Sequence, residues 1–314
     1  MNLDKKLRNK DILSIADLEK DEIELIFKVT EDLKKDKYQD LLKTKILALI
    51  FHKLSTRTRV SFEAGMYHLG GNTIFLSSKE IQLKRGETVE DTARVLSRYV
   101  DGVVIRTFEH DDIVRFAKAS SIPVINGLTD LMHPCQVISD LFTIKELKGK
   151  LKGLKIVFLG DGANNLAHSW LFGAAKTGLD LIISAPAPYW PDKKLMAHAK
   201  SILEKEGHGS IEIDQNVERA VSNADIIYTD VWTSMGQEEE EDKRKDIFGK
   251  FQVNASLMSK AKKDAVFMHC LPAHRGEEVT EDVLESPQSV VFPQAENRMH
   301  VQKAIITLLM RGRE

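Results

Sequence analysis

A dense group of anion-binding side chains, Ser55-Thr56-Arg57-Thr58-Arg59, directly follows the apolar segment Ile46–Phe51. The apolar segment is typical of a buried strand, and the hydroxyl-rich residues after it favour the start of a helix. Helix N-termini attract anions through their free N–H groups and dipole, and arginine can hold a phosphate through two hydrogen bonds. An ordinary Ser/Thr helix cap with surface arginines is the alternative. The density of donors after a strand favours a phosphate site, with both guanidinium groups beside the helix amides.

This phosphate site differs from the nucleotide-binding loops that carry a conserved lysine. No GxxxxGK[ST] sequence occurs in the chain, and that spacing is what cradles the phosphates of ATP in a Walker loop. Phosphate binding here therefore does not imply ATP.

Arg106 directly follows the strand predicted at 103–105, and His133 follows the strand-and-loop segment at 123–131. Each could instead have no role in a site, because an arginine at a strand end is often a surface charge and a histidine before proline often caps a helix. Ligands of parallel α/β sheets bind beyond the carboxyl ends of the strands. Both residues occupy that position in register with the phosphate motif, which favours a shared site.

Asp230 and Cys270 occupy equivalent positions later in the chain, after the strands predicted at 226–229 and 265–268. A turn cap and a buried structural cysteine are the alternatives. Cys135 and Cys270 form no CxxC pair, so the spacing of a zinc site is missing. We expect two reduced cysteines and no metal.

Strands and helices alternate in two successive series, which predicts an α/β fold of two domains, each a parallel sheet covered by helices. An amphipathic helix precedes the first strand, and Gly70-Gly71 and Gly178 are natural helix ends. A last helix is predicted from about 296 to 310. The predicted strands lie at 46–51, 73–76, 103–105, 123–125, 155–159, 181–184, 211–213, 226–229 and 265–268.

The composition is that of an ordinary globular protein and limits the classes of partner. The chain has 314 residues, 45 basic and 47 acidic, with a formal net charge of −2. This balance gives no general attraction to nucleic acid or to an anionic membrane. The charged N-terminus predicts no signal peptide, the apolar runs are too short to span a bilayer, and a cytoplasmic location is expected. The acidic run at 238–242 is interpreted as a solvated face.

From about Leu13 to Met310 the chain resembles the aspartate/ornithine carbamoyltransferase family. Ser55-Thr56-Arg57-Thr58-Arg59 is similar to the phosphate-binding motif of that family, and His133-Pro134-Cys135-Gln136 to its HPxQ element. Asp230-Val231-Trp232-Thr233-Ser234-Met235-Gly236 and His269-Cys270-Leu271-Pro272 resemble the two elements that mark its ornithine branch. The resemblance implies transfer of a carbamoyl group from carbamoyl phosphate to the δ-amine of L-ornithine, giving L-citrulline and phosphate in arginine metabolism.

The resemblance also implies roles for individual residues. Arg106 and His133 polarise the carbamoyl carbonyl, Cys270 and Asp230 contact the δ-amine, and these four are the expected catalytic residues. The expected carbamoyl phosphate ligands are Ser55, Thr56, Arg57, Thr58, Gln82, Arg106, His133, Gln136, Cys270, Leu271 and Arg298. The expected ornithine ligands are Asn165, Asp230, Ser234 and Met235.

The family further implies domain boundaries and an assembly. Residues 1–148, with a C-terminal helix at 296–314 that packs back on the first domain, are expected to bind carbamoyl phosphate. Residues 149–295 are expected to bind ornithine. A homotrimer, or a multiple of trimers, is expected, with Gln82 in a loop at 81–87 completing the site of the neighbouring subunit. No cofactor is expected.

Several other activities stay open at this point. Aspartate carbamoyltransferase is the nearest, since Lys84-Arg85-Gly86 resembles a basic loop of that enzyme, and putrescine carbamoyltransferase is another. The segment from Gly160 to Asn165 gives GxGxxN, without the third glycine of a dinucleotide fingerprint, so an oxidoreductase is a remote alternative. A non-catalytic binding relative is a fourth. Anabolic and catabolic roles are not distinguished.

Overall fold

A computed structural model describes residues 7–8, 10–77, 86–233 and 238–311, without the side chain of Glu238. The chain divides into two compact units. The first runs to Phe142 and resumes at Asn297, and the second is Thr143–Glu296. The sequence had placed these divisions after 148 and before 296. The observed ones fall inside two helices, where composition gives no sign of a boundary.

The first unit contains a four-stranded sheet in which every pairing is parallel, in the order β2-β1-β3-β4. Its second and third strands along the chain lie on opposite sides of β1, so a switch in winding direction falls between β1 and β3. Such a switch opens a crevice at the carboxyl ends of the two strands. The strands are β1 (Ile46–Phe51), β2 (Asn72–Ser77), β3 (Gly102–Arg106) and β4 (Val124–Leu128).

Helices cover this sheet, and the first of them shows the apolar stripe of an amphipathic helix. In the first helix Ile23, Ile26, Phe27 and Leu33 are buried at helical spacing, as predicted. The first unit holds α1 (Lys20–Lys35), α2 (Thr56–His68), α3 (Val89–Leu96), α4 (His110–Ala119) and most of α5 (Pro134–Lys148).

The second unit contains a five-stranded parallel sheet in the order β7-β6-β5-β8-β9. Here the winding switches between β5 and β8. The strands are β5 (Lys155–Leu159), β6 (Asp180–Ser184), β7 (Ser210–Ile213), β8 (Ile226–Thr229) and β9 (Val266–His269). The helices are α6 (Asn165–Thr177), α7 (Lys193–Glu206), α8 (Val217–Val221), α9 (Glu241–Phe248), α10 (Ala255–Met258) and α11 (Glu281–Leu284).

The last helix, α12 (Val291–Met310), begins five residues before the predicted start at 296. Pro293 lies in its first turn, where the missing N–H of proline costs nothing, so the helix extends through a residue that usually marks a boundary. The predicted fold class is confirmed, including the C-terminal helix that contacts the first unit. Helix α4 was not predicted. None of the helices among the described residues is long and apolar enough to cross a membrane.

A buried lysine attaches α12 to the end of α1. Lys303 is fully buried, and its ammonium donates to the carbonyls of Leu33 at 3.3 Å and Lys37 at 2.9 Å. The last carbonyls of a helix have no partner within the helix and carry the negative end of its dipole. Gly65 on α2 leaves room for this side chain, because a Cβ there would lie 3.2 Å from Lys303 Cγ.

We predict that Lys303→Met lowers the thermal stability of the protein. The substitution leaves the buried carbonyl of Leu33 and the part-buried carbonyl of Lys37 without this donor, and an unsatisfied buried group typically costs about 1–3 kcal/mol. Differential scanning calorimetry should show a fall in Tm of several degrees. Lys35→Met is the matched control, because the Lys35 side chain is 77% exposed, and its Tm should stay within a degree of wild type. Equal Tm values for the two variants would contradict this role.

Candidate active site

The phosphate motif forms the N-terminus of α2, as predicted. Ser55 is the N-cap, and its hydroxyl accepts the N–H of Thr58 at 3.2 Å and donates to the Thr58 hydroxyl at 3.0 Å. No other described residue accepts a hydrogen bond from the backbone N–H of Thr56 or Arg57. These two N–H groups therefore stay available to an anion at the positive end of the helix dipole.

The two arginines of the motif differ in their surroundings. Arg59 Nε donates to Glu63 at 2.9 Å, and its guanidinium lies 3.7 Å from the centre of the Phe75 ring. Within the described part of the chain, Arg57 makes no such bond or ring contact. The expectation that both guanidinium groups flank the anion site is therefore wrong for Arg59, because α2 turns it toward an acidic side chain one turn later. Arg57 remains the candidate clamp.

Arg298 joins the motif from α12, and it is buried together with the two side chains that it connects. Its Nη2 donates to the Thr58 hydroxyl at 2.7 Å, and its Nη1 donates to Gln136 Oε1 at 2.9 Å. The Gln136 amide group in turn donates to Asp140 at 2.8 Å. The predicted start at 296 put Arg298 at the beginning of the last helix. Because α12 begins at Val291, Arg298 lies in its second turn instead. The structure nevertheless brings Thr58, Gln136 and Arg298 together.

Parallel pairing brings Arg106 beside the phosphate motif. Arg106 is the last residue of β3 and pairs in register with Phe51 at the end of β1, so the segment with Ser55 starts next to it. His133 follows β4 across a turn in which the Thr129 hydroxyl accepts the N–H of Met132 at 3.1 Å. Both Arg106 and His133 are buried. The two predicted carbonyl donors therefore lie at the same edge of the first sheet.

His133 is held neutral by its surroundings. Burial lowers the pKa of its imidazole well below 6.5, and the positive charges of Arg298 and Arg106 lower it further. A neutral imidazole can still donate one hydrogen bond, whereas the two arginines supply positive charge. This combination suits stabilisation of a carbonyl oxygen that gains charge during acyl transfer.

The lowered pKa of His133 predicts a loss of stability in mild acid. Below about pH 6.5 the unfolded chain binds a proton that the folded protein excludes, so stability falls until the pH reaches the folded pKa. Each pH unit in that window costs about 1.4 kcal/mol. The difference in Tm between pH 7.5 and pH 5.0 should be smaller in His133→Gln than in wild type. The exposed His198 provides the control, since His198→Gln should retain the wild-type difference.

Asp230 and Cys270 meet at the edge of the second sheet. Leu159, Thr229 and His269 pair in register at the ends of β5, β8 and β9, so the residues that follow β8 and β9 are neighbours. The Cys270 thiol donates to Asp230 Oδ1 at 3.0 Å. Burial raises the pKa of the Asp230 carboxyl, although His269 and the thiol hydrogen bond oppose that rise. A carboxylate beside a thiol can orient an amine and accept its proton.

The backbone after Cys270 is held by a pair that the sequence analysis did not assign. The N–H of Leu271 donates to His269 Nδ1 at 2.8 Å, which places the ring proton on Nε2, 3.1 Å from Glu278 Oε1. Both His269 and Glu278 are fully buried. Leu271 has a φ of 58°, a conformation that a non-glycine residue rarely adopts. The pair therefore fixes the direction of the Leu271 carbonyl. Glu278 lies nine positions beyond the end of β9, where the sequence gave no sign of this role.

Two adjacent asparagines have different roles at the start of α6. Asn164 is the N-cap, with its side-chain oxygen accepting the N–H of Ala167 at 2.8 Å, and its amide group lies 3.4 Å from Asp230 Oδ2. Asn165 is the first helical residue, and the N-cap role belongs to its neighbour Asn164. Asn164 thus connects the loop after β5 to Asp230, a contact that the sequence analysis missed.

Potential metal ligands exist at this edge, but their hydrogen bonds already engage them. Donor atoms of Asp230, His269 and Cys270 lie within 4.8 Å of one another. Both ring nitrogens of His269 are used by Leu271 and Glu278. A metal ion would have to displace one of these bonds, so the arrangement fits a hydrogen-bonding site better than a metal centre. The expectation of no metal stays a prediction.

Both cysteines are free thiols, as expected. Cys135 is fully buried, and burial raises the pKa of its thiol to about 12. It is therefore a packing residue within the HPxQ element. Cys270 is only partly buried and is the thiol that faces a carboxylate.

The expected site residues fall into two groups. The first unit holds Ser55, Thr56, Arg57, Thr58, Arg106, His133, Gln136 and Arg298, and the second holds Asn165, Asp230, Cys270 and Leu271. Each group lies where the winding of its own sheet switches. Gln82, Ser234 and Met235 lie outside the described residues.

Two family models together match nearly the whole chain. The carbamoyl-P binding domain of aspartate/ornithine carbamoyltransferase matches residues 10–146, and the Asp/Orn binding domain of the same family matches residues 152–309.

Individual relatives are similar along nearly their entire length. The ornithine carbamoyltransferase of Oceanobacillus iheyensis is 56% identical over 309 residues, which are 97% of this chain and 95% of that protein. The solved ornithine carbamoyltransferase of Pyrococcus furiosus superposes with a TM-score of 0.94 at 50% identity, covering 98% and 99% of the two chains. The anabolic enzyme of Campylobacter jejuni gives 0.90 at 41% identity, covering 95% and 97%.

Proposed function

The chain belongs to the aspartate/ornithine carbamoyltransferase family, and from this premise we infer that it transfers the carbamoyl group of carbamoyl phosphate to the δ-amine of L-ornithine. The products are L-citrulline and phosphate. The observation that carries this function is the 3.0 Å contact of the Cys270 thiol with Asp230. A carboxylate there suits a cationic amine, whereas the second carboxylate of aspartate would be repelled. The relatives described above are named ornithine carbamoyltransferases.

We assign the carbamoyl phosphate to the first unit, which we equate with the expected domain of 1–148 and 296–314. The amides at the start of α2 and the Arg57 guanidinium receive the phosphate. Arg106 and neutral His133 donate to the carbonyl oxygen, where negative charge develops. Gln136 Oε1 accepts from the carbamoyl NH2, and Arg298 holds Gln136 and Thr58 in place. The resemblance assigns the carbonyl of Leu271, a residue of the second unit, to the same NH2.

We assign ornithine to the second unit, equated with 149–295. Asn165 binds the α-carboxylate, and Ser234 and Met235 bind the α-groups, while Asp230 and Cys270 orient the δ-amine. That amine has an ordinary pKa near that of lysine, about 10.4, and must be neutral to attack. The nitrogen forms a bond to the carbamoyl carbon, the C–O bond to phosphate breaks, and the proton released by nitrogen leaves with the phosphate. Neither metal nor nucleotide takes part.

We further propose a cytoplasmic homotrimer. The Cys270 thiol has to stay reduced to donate to Asp230, which suits a reducing compartment. Gln82 reaches the carbamoyl phosphate of the neighbouring subunit in this proposal.

Ornithine should be the preferred acceptor in a colorimetric ureido assay with carbamoyl phosphate. Putrescine lacks the α-groups that Asn165 is expected to bind, and aspartate carries a carboxylate toward Asp230. We expect kcat/KM for ornithine to exceed that for either rival by at least about 100-fold. Dialysis against a chelator should leave the rate unchanged. A higher kcat/KM for putrescine or aspartate would assign the chain to another branch.

Arg57→Ala should lower kcat/KM for carbamoyl phosphate by at least about 100-fold, because the loss of a preorganised charged donor typically costs a few kcal/mol. Tm should change little, since the guanidinium has no partner among the described residues. Arg59→Ala is the matched control on the same helix, and its activity should stay within about threefold of wild type. If the two variants lose activity equally, the clamp is not specific to Arg57.

Complementation tests the shared site of the trimer. Arg57→Ala removes the phosphate clamp from a chain's own site. Gln82→Glu disrupts the loop that the chain contributes to the site of its neighbour. After equal amounts are denatured and refolded together, about one site in four combines an intact clamp with an intact loop in a closed ring. The mixture should recover about a quarter of wild-type activity, provided that each variant alone is inactive, folded and trimeric. A refolded mixture that stays inactive places the whole site in one chain.

A further inference from the structure

A buried ion pair lies in the second unit among residues to which no role has been assigned. Arg244 Nη1 on α9 is 2.8 Å from Asp161 Oδ2, and both side chains are only 5% exposed. Removal of charges from water is costly, and a buried pair often adds no more stability than apolar residues of the same size. A role in positioning other groups would explain why such a pair is present.

The pair connects the two loops that flank the winding switch of the second sheet. The same Nη1 of Arg244 also donates to the carbonyl of Trp232 at 2.8 Å, in the segment after β8. Asp161 follows β5, and its other oxygen accepts the N–H of Ala163 at 2.9 Å. One guanidinium nitrogen thus links the loop after β5 to the loop after β8.

Packing reinforces this link on both sides. The Trp232 ring lies against Gly160, where an added Cβ would be 3.3 Å from Trp232 Cδ1. Trp232 also stacks on Phe248, with 6.1 Å between ring centres. The Arg244 guanidinium lies 5.0 Å from the centre of the Tyr189 ring. A planar guanidinium suits this combination of ring contact and two acceptors better than an ammonium does.

Each linked loop carries one of the residues assigned to ornithine. Asn165 follows Asp161 and Ala163 along the first loop, and Asp230 immediately precedes the segment held at Trp232. We propose that Asp161 and Arg244 are positioning residues which fix the spacing between Asn165 and Asp230, and thereby set the affinity for the amine substrate. This inference rests on the proposed function. Neither residue is expected to touch a substrate.

Arg244→Lys tests the inference by separating the two substrates. Lysine keeps the positive charge of Arg244. It lacks the planar guanidinium that donates to both Asp161 and the Trp232 carbonyl. KM for ornithine should rise at least about 10-fold, whereas KM for carbamoyl phosphate should stay within about threefold. Arg219→Lys is the matched control. Arg219 forms a two-bond pair with Asp214 in the same unit, at 2.7 and 2.8 Å, but its side chain is 75% exposed, so both KM values should be unchanged. Equal effects on both substrates in Arg244→Lys overturn the inference.

A double-mutant cycle separates positioning from a merely structural role. Asp161→Asn leaves buried Arg244 with only the half-exposed Glu240, 3.3 Å from its Nε. Arg244→Gln leaves the buried charge of Asp161 unpaired, so each variant should lower Tm. The double variant has no such charge and should recover most of the lost Tm. Because the bridge from Asp161 to Trp232 is still missing, KM for ornithine should stay at least about 10-fold raised. If KM recovers together with Tm, the pair only stabilises the unit.

Failure of this inference can be told apart from failure of the proposed function. Wild type is first assayed with ornithine, putrescine and aspartate, and the KM comparison uses whichever acceptor it prefers. Hydrogen exchange gives a readout that needs no substrate. The N–H groups of Ala163 and Val231 donate to Asp161 and Asp230, and Arg244→Lys should speed their exchange at least about 10-fold relative to Arg219→Lys. Unchanged exchange rates would overturn the positioning role.

Discussion

Parallel strand pairing in register is the constraint on which both half-sites depend. In the first sheet it sets Phe51 beside Arg106, and in the second it sets Thr229 beside Leu159 and His269. Residues far apart in the chain thereby become neighbours one position beyond the strands. In each sheet the winding switches at this place, so the helices leave in opposite directions and a crevice remains. Polar residues can lie in this crevice because they do not take the place of apolar side chains in the core.

A second layer of buried polar residues keeps those half-sites in shape. Arg298 holds Thr58 and Gln136, and the His269–Glu278 pair holds the backbone of Leu271. Arginine and histidine serve here as hydrogen-bond donors fixed before any substrate arrives. Such preorganisation is what makes donors effective toward charge that develops only in a transition state. The cost of burying these groups is offset by their mutual hydrogen bonds, so removal of one partner should lower stability more than removal of both.

The sequence revealed the strands well because their apolar residues are continuous and bounded by polar ones. Lys155–Leu159 and Ile226–Thr229 match the predicted bounds, and the helix Asn165–Thr177 ends at Gly178, the helix end that the sequence indicated. The start of α12 was placed five residues late, since Pro293 resembles a boundary although a first turn accepts it. Helix α4 was missed. Its apolar positions are few, and burial of Ile113 and Phe116 becomes evident only once the sheet is present.

The site residues were predictable to the extent that a motif or a strand end marks them. Asp230 and Cys270 follow strands, so parallel pairing alone predicts their contact. Arg244 could not be found in this way, because it lies just beyond an acidic run that resembles a solvated face, and its partner Asp161 is 83 residues away. The physical reason is general. Most residues assigned to the substrates follow a strand or open the next helix, whereas a residue that positions them can come from any element that the fold brings near. Buried charge, recognised only in three dimensions, is the feature that identifies the second kind.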